Sequence, residues 1–184
     1  DDWSGPGGAR AVLREKEVDA AILETARGGL LRRGLGVERA DAALITNITE
    51  DHLGDFGSRN LDELLAIKWV VSHAVRESGR LILNAEDRRL VERAKDYDGE
   101  VVWFSLDPAN EVVMSHVEAG GTAFLLDGDE LLKIENGARS LLCRSQEIPI
   151  TLGGAARHNI ANALSAAALA WCLGIWLAHI RTGL

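Results

Sequence analysis

The feature that most constrains the fold is an alternation of short apolar runs with helical stretches through the first 106 residues. Four runs are rich in β-forming residues, and the segments between them carry apolar residues at helical spacing. The predicted strands span residues 19–24, 42–47, 80–84 and 100–105. This alternation predicts an α/β fold with a parallel sheet, right-handed crossovers and flanking helices.

The pattern changes near Asp107. Residues 111–152 contain short apolar runs, beginning with VVMSHV at 112–117, separated by Gly120-Gly121, Asp127-Gly128 and Asn136-Gly137. These dipeptides are typical of hairpin turns and predict a small antiparallel β subdomain of about four strands. Residues 153–184 return to helix, with an alanine-rich stripe and a second helix from Trp176. The predicted division is therefore a parallel α/β part (1–106), an antiparallel insert (107–152) and returning helices (153–184), within one domain spanning 1–184.

A polar turn follows the second predicted strand and leads into a helix predicted over 60–77. Asn60 is its expected N-cap, with Glu63 at the third helical position completing a capping box. Its apolar stripe comprises Leu61, Leu64, Leu65, Val71 and Val75. Lys68 lies on the same stripe. A lysine that faces a core is costly unless its charge is paired, neutralised or chemically altered.

Candidate site residues follow the ends of the predicted strands. Glu24 follows the first strand, and Asp51 and His52 follow the second. The carboxyl ends of parallel strands meet at one edge of a sheet, where ligands gather, and a carboxylate with an imidazole suits a divalent cation. Lys68 has two candidate roles there: an ion pair with Glu24 or Asp51, or a neutral amine that captures carbon dioxide as a metal-binding carbamate. The residues alone favour the ion pair.

Structural interpretations compete with these roles. A glutamate after a strand often caps a helix, and Asp51 with His52 can hold a turn through bonds to the backbone. Arg27 and its neighbours fit either an anionic substrate or a solvated helix face.

Composition excludes several classes of function. The net charge of −8 argues against a nucleic-acid partner. The most apolar stretch, 160–180, is interrupted by Asn162, Gly174 and His179, which favours a buried helix pair over a membrane span. Cys143 and Cys172 lack metal-site or redox-motif spacing, and the acidic N-terminus does not resemble a signal peptide. We therefore expect a cytoplasmic protein.

Five motifs carry a resemblance to a known family. They are LETARGGLLRRGLG (23–36), TNITEDHLGDFG (46–57), LLAIKWVV (64–71), LNAED (83–87) and HNIANALSAAALA (158–170). In this order they resemble the central, ATP-binding domain of the Mur ligase superfamily, whose fold is similar to that of the P-loop NTPases. Gly54 and the ETARGG motif favour the cyanophycin synthetase branch, although Glu86 replaces an aspartate common in the family.

The resemblance implies an ATP- and Mg²⁺-dependent amide ligase that acts through an acyl phosphate. By this resemblance Glu24 matches the ligand of one magnesium ion and His52 the ligand of the other. Lys68 matches a lysine that is carbamylated in several members, so all three are predicted catalytic and metal-site residues. Asn159 and Asn162 match asparagines that contact adenine, with His158 beside them. Arg27 and Asn47 are predicted substrate contacts.

The resemblance also implies that this chain is a partial domain. A GxxxxGK[ST] phosphate loop does not occur in it. The expected partners are therefore flanking domains of the same chain, a small-molecule or peptide carboxylate and an amino acid, and a homo-oligomer stays open. In this branch of the family, cyanophycin synthetase joins arginine to the side-chain carboxylate of polyaspartate. Without the flanking domains, this chain alone is expected to be inactive. Two other functions compete: a non-catalytic nucleotide-binding or regulatory domain, and a metal-dependent hydrolase that uses Glu24, Asp51 and His52.

Overall fold

A computed structural model describes residues 5–49 and 60–184, which form two compact units. The first unit comprises the described residues up to Ala40 and those between Ile48 and Ala74. The second comprises Asp41–Asn47 and Val75–Leu184.

The first unit is helical in its described part. It contains α1 (Pro6–Arg14), α2 (Arg27–Arg33), α3 (Leu61–Trp69) and a 3₁₀ turn, Val70–Ala74. The predicted start of α3 is confirmed, because Asn60 Oδ1 accepts a hydrogen bond from the Glu63 backbone N–H at 2.9 Å. Helix α2 packs against α3, which buries Leu64 and Trp69.

Two predictions in this region are wrong. Residues 19–24 form no strand, and Ile22 is 73% exposed. An interior parallel strand must bury both faces, and this run contains only two large apolar side chains, Ile22 and Leu23. The helix predicted over 60–77 ends at Trp69, and Val75 already belongs to a strand. Residues Val70–Ala74 form the 3₁₀ turn, and the chain becomes extended only from Val75, a conformation that suits a β-branched residue.

The second unit is built on a six-stranded sheet. Its strands are β1 (Ala40–Ile45), β2 (Val75–Asn84), β3 (Glu100–Ser105), β4 (Thr122–Asp127), β5 (Glu130–Glu135) and β6 (Ala138–Arg144), in that spatial order. Strands β2, β3 and β4 pair in parallel, whereas β4, β5 and β6 pair antiparallel. The predicted α/β class, a parallel sheet with an antiparallel part, is confirmed.

Four helices belong to this unit: α4 (Arg88–Ala94), α5 (Glu111–Glu118), α6 (Arg157–Cys172) and α7 (Leu177–Gly183). Helix α5 corrects the prediction of a strand at 112–117. Asn110 caps it, because its Oδ1 accepts hydrogen bonds from the backbone N–H groups of Val112 and Val113. The antiparallel part therefore has three strands. The Asn136-Gly137 turn has φ values of +51° and +76°, as expected for a tight hairpin.

Helix α6 covers one face of the parallel strands. Alternate residues of β2, β3 and β4, among them Ile82, Phe104 and Phe124, form a core with this helix. The predicted stripe of α6 is buried at Ile160, Ala163, Leu164, Ala167 and Ala168. The small alanines allow the helix to approach the sheet closely, so the first turn of α6 is held against a rigid support.

Candidate functional site

The two predicted adenine-contacting asparagines lie on one face at the start of α6. The side chain of Asn162 is exposed, and its Nδ2 lies 3.5 Å from Asn159 Oδ1. The Nδ2 of Asn159 donates a hydrogen bond to the Ile150 carbonyl at 2.5 Å. The exposed side chain of His158 is adjacent in sequence. A pair of amides with donors and acceptors at a helix start can bind the polar edge of a heterocyclic base.

The loop that leads into α6 has an unusual backbone. Leu152, Gly153 and Gly154 are consecutive residues with φ values of +53°, +69° and +89°. Glycine adopts this region readily, but Leu152 does not. Leu152 is also 75% exposed, and Ile150 nearby in the chain is 55% exposed. This loop therefore exposes two apolar side chains, and its Ile150 carbonyl contacts the asparagine pair through Asn159.

A second polar cluster lies at the carboxyl ends of β2 and β3. Glu86 Oε1 accepts hydrogen bonds from the Ser105 hydroxyl, at 3.0 Å, and from the Leu106 backbone N–H. The Nδ2 of Asn110 donates to the Ala85 carbonyl at 3.2 Å, and Asp87 caps α4. Sequence reasoning had treated Glu86 only as a mild departure from the family motif. The buried serine at the end of β3 was the signal that could have identified its partner.

Lys68 lies in the last turn of α3 and is half-buried. The apolar stripe of α3 that includes Lys68 is only partly buried, since Leu64 is in the core while Leu61 and Leu65 are half-buried. Arg27 begins α2, the helix that packs against α3. Arg27 and Lys68 thus belong to neighbouring helices of the first unit.

Glu24 is exposed in the irregular segment before α2, within the first unit. The predicted strand that would have placed it at a sheet edge is not formed. Asp51 and His52 lie outside the described residues. Asn47, two residues beyond β1, is exposed and belongs to the second unit. Convergence of Glu24, His52 and Lys68 therefore stays a prediction.

The chemistry of the predicted magnesium ligands can be judged residue by residue. The carboxylate of Glu24 is a suitable hard oxygen donor. The ammonium group of Lys68 has no lone pair to donate, and becomes a ligand only as a carbamate. Within 5–49 and 60–184, three or more metal-ligating His, Cys, Asp or Glu side chains do not cluster.

The cysteine thiols of the second unit are poor nucleophiles. Burial raises the pKa of Cys172 to about 12 and also raises the pKa of Cys143 above its usual value. A thiol in such a setting stays protonated near neutral pH, and only the thiolate attacks. Covalent cysteine catalysis is therefore not a function that these two residues support.

These observations define an α/β domain in which α6 opens with an asparagine pair after a glycine-rich turn. The Mur ligase middle domain family matches residues 9–170, and the chain belongs to this family. Similar relatives include cyanophycin synthetases from Trichormus variabilis, 37% identical over 183 residues, and from a Nostoc species, 36% identical. The match covers 100% of this chain and 20% of either relative.

A peptidoglycan-branch enzyme is also similar. The UDP-N-acetylmuramoyl-tripeptide–D-alanyl-D-alanine ligase of Escherichia coli is 32% identical over 174 residues, which is 91% of this chain and 35% of that enzyme. The chain thus spans about a fifth of the length of the cyanophycin synthetases it matches. In the described part of the chain, none of the helices is long and apolar enough to cross a membrane.

Proposed function

We propose that this chain is part of the ATP-binding domain of an amide ligase of the cyanophycin synthetase kind. The observation that carries the proposal is 37% identity to a cyanophycin synthetase across the whole chain. The proposal includes flanking domains that supply the phosphate loop, since GxxxxGK[ST] does not occur in this sequence. We accordingly expect the isolated chain to be inactive.

The proposed reaction has two steps. An oxygen of the acid substrate attacks the γ-phosphorus of ATP, the bond to the β-phosphate oxygen breaks, and ADP leaves. The nitrogen of the amino substrate then attacks the carbonyl carbon of the acyl phosphate, phosphate leaves with its bridging oxygen, and the nitrogen loses a proton to solvent. The first step is needed because a carboxylate oxygen is a poor leaving group, whereas phosphate is a good one.

In this proposal Asn159 and Asn162 bind the adenine ring, with His158 beside them. The exposure of Asn162 and His158, the i, i+3 spacing of the two asparagines and the exposed apolar side chains of the preceding loop, Ile150 and Leu152, support this assignment. Stacking against apolar groups together with hydrogen bonds to amides is a usual way to hold a base in a pocket.

Glu24 is proposed to hold one Mg²⁺ ion and His52 the other, with a carbamate formed on Lys68 as a further metal ligand. The bound cations would neutralise charge on the phosphate oxygens. Arg27 is proposed to bind the carboxylate of the acid substrate, because an arginine at the start of α2 presents a planar bidentate donor. Asn47 is proposed as a second substrate contact.

The test uses the full-length protein that carries this chain. Release of phosphate from ATP is measured with polyaspartate and arginine, and then with a panel of other acids and amino acids. We expect turnover only when ATP, an acid and an amine are all present. Metal-dependent hydrolysis of a substrate in the absence of ATP would replace this proposal with the metal-dependent hydrolase. Binding of ATP without turnover of any combination of acid and amine would replace it with the non-catalytic regulatory domain.

Lys68 is tested separately in the same assay. Lys68→Ala should lose activity and regain part of it with added formate or acetate, because a small carboxylate can take the place of the carbamate. Lys95→Ala is the matched control, since Lys95 is an exposed lysine that pairs with Glu92, three residues before it in the chain. An active Lys68→Arg variant would contradict the carbamate, because guanidinium keeps an ion pair but cannot form a carbamate.

A further inference from the structure

Thr151 is the most completely buried polar residue near the start of α6, with an exposed fraction of 0%. Its Oγ1 lies 2.5 Å from the Ser145 carbonyl oxygen and 2.7 Å from the Ile148 carbonyl oxygen. It also accepts a hydrogen bond from the Gly154 backbone N–H at 3.1 Å. A hydroxyl has one proton, which it can donate to one of these two carbonyl oxygens at a time, and lone pairs that accept the Gly154 N–H, so a single side chain links residues 145–148 to Gly154.

These links connect α6 to the sheet. The backbone N–H of Ser145, directly after β6, donates to the Asp129 carbonyl in the β4–β5 turn at 2.7 Å. At the other end, the Ala156 backbone N–H donates to the Thr151 carbonyl at 2.8 Å, just before α6 begins. Thr151 therefore bridges the end of the hairpin and the first turn of the helix.

The hydroxyl also spans the left-handed segment. Leu152 and Gly153 lie between Thr151 and the Gly154 N–H that its Oγ1 binds. A leucine in the left-handed region persists only where the surrounding structure holds it there. The bond from Gly154 to the Thr151 hydroxyl spans this segment, together with the backbone bond from Ala156 to the Thr151 carbonyl, and so helps to hold Leu152 in place.

The effect reaches the asparagine pair through one carbonyl group. Ile150 precedes Thr151 directly, and its carbonyl oxygen accepts the hydrogen bond from Asn159 Nδ2 at 2.5 Å. Asn159 Oδ1 in turn lies next to Asn162 Nδ2. Fixing the backbone at Thr151 thus fixes which edge of the Asn159 amide faces outward.

We propose that Thr151 is a positioning residue for nucleotide binding, whose hydroxyl holds the loop that orients Asn159 and Asn162. This inference rests on the proposed function, because it takes the two asparagines as the adenine contacts. Thr151 itself is buried and does not touch the nucleotide.

The test is the kinetics of the full-length ligase with ATP as the varied substrate and polyaspartate and arginine at saturation. Thr151→Val keeps the shape of the side chain and removes the hydroxyl. We expect the KM for ATP to rise about tenfold, the effect of one lost hydrogen bond, while kcat stays within about twofold. Thr151→Ser, which keeps the hydroxyl, should restore the KM for ATP.

A control variant separates loss of positioning from a general loss of stability, and a second variant at Thr151 is available if Thr151→Val does not fold. Ile134→Val removes one buried methyl group from β5, far along the chain from the loop, and should lower the thermal midpoint without changing the KM for ATP. Should Thr151→Val fail to fold, Thr151→Cys fills similar space with a weakly bonding thiol and is expected to give the same rise in KM. An unchanged KM for ATP in the folded variant, or an equal rise with Ile134→Val, would overturn the inference.

Asn162→Ala distinguishes a failure of the positioning role of Thr151 from a failure of the adenine-binding assignment. If Asn162→Ala raises the KM for ATP and Thr151→Val does not, the positioning role fails and adenine binding stands. If neither variant changes the KM for ATP, the adenine assignment itself fails.

Discussion

The carboxylate of Glu86 accepts a hydrogen bond from the buried hydroxyl of Ser105 at 3.0 Å and so joins the carboxyl ends of β2 and β3. The same oxygen accepts a bond from the Leu106 backbone N–H. A charged acceptor that satisfies two donors at a sheet edge replaces the water that would otherwise solvate them. The LNAED motif therefore holds the two central parallel strands together beyond their own ladder.

Replacing Glu86 should measure this link. Glu86→Ala removes the charged acceptor of the Ser105 hydroxyl and of the Leu106 N–H, and leaves the hydroxyl the Asp107 carbonyl at 3.2 Å. Because hydrogen bonds to a charged group are lost, we expect the free energy of unfolding to fall by about 1.5–3 kcal/mol. Glu86→Gln keeps a carbonyl oxygen in place and should lose clearly less. Urea denaturation of both variants checks this, and equal losses would show that the contact at Ser105 does not matter.

Gly121 makes room for His116. A methyl group at position 121 would collide with the His116 imidazole. Gly121→Ala should therefore cost about 1–3 kcal/mol of stability, measured by urea denaturation. Gly183→Ala is the matched control, because a methyl group there meets nothing within 4 Å. Removing the ring with His116→Ala should abolish the penalty, and its persistence in the double variant would contradict the collision.

His116 should also make stability depend on pH. Burial lowers its pKa below the ordinary value of 6.5, and in the described part of the chain its Nε2 has no hydrogen-bond partner. The neutral imidazole is therefore the folded form, while the unfolded chain takes up a proton near pH 6.5. This contribution to stability is complete above pH 6.5 and is lost as the pH falls toward the lowered pKa.

The measurement is the free energy of unfolding of the protein at pH 7.5 and at pH 5.5. Each unit of difference between the two pKa values corresponds to about 1.4 kcal/mol. We expect His116→Gln, which cannot titrate, to lose less stability over this range than the unmodified chain. Parallel pH profiles for the two proteins would argue that His116 is not the responsible group.

The cap of α3 gives a fourth prediction. Asn60→Ala removes the acceptor for the Glu63 N–H and should destabilise the helix by about 0.5–2 kcal/mol, whereas Asn60→Asp should retain most of the stability. Amide hydrogen exchange in Leu61–Trp69 is the suitable readout, because it reports the opening of this helix directly. Faster exchange in the aspartate variant than in the alanine variant would contradict the role of the side chain as an acceptor.

The structural features that were predicted correctly are those that depend on a few neighbouring residues. The Asn60 cap, the Asn136-Gly137 turn, the strand Glu100–Ser105 and the buried stripe of α6 all occur as expected. The family was also recognised from the sequence, because five motifs in order are retained even where single residues have changed.

The segments predicted wrongly are those whose residues are compatible with more than one type of secondary structure. VVMSHV has β-forming residues, yet a cap at Asn110 and packing against β3 and β4 make it a helix. Val70 and Val71 continue the helical pattern of α3 into a 3₁₀ turn, yet from Val75 the chain is extended as part of β2, whose residues Arg80–Asn84 pair with β3. Residues 19–24 resemble a strand but remain outside the sheet.

The family, the α/β class and the caps and turns can be predicted from the order of residues, since each depends on neighbouring residues or on motifs in order. The contact between Glu86 and Ser105, and the place of Thr151 between the hairpin and α6, become visible only in the folded chain. A buried polar group must find a partner wherever the packed chain brings one. That partner can be far away in sequence, and residue spacing alone does not identify it.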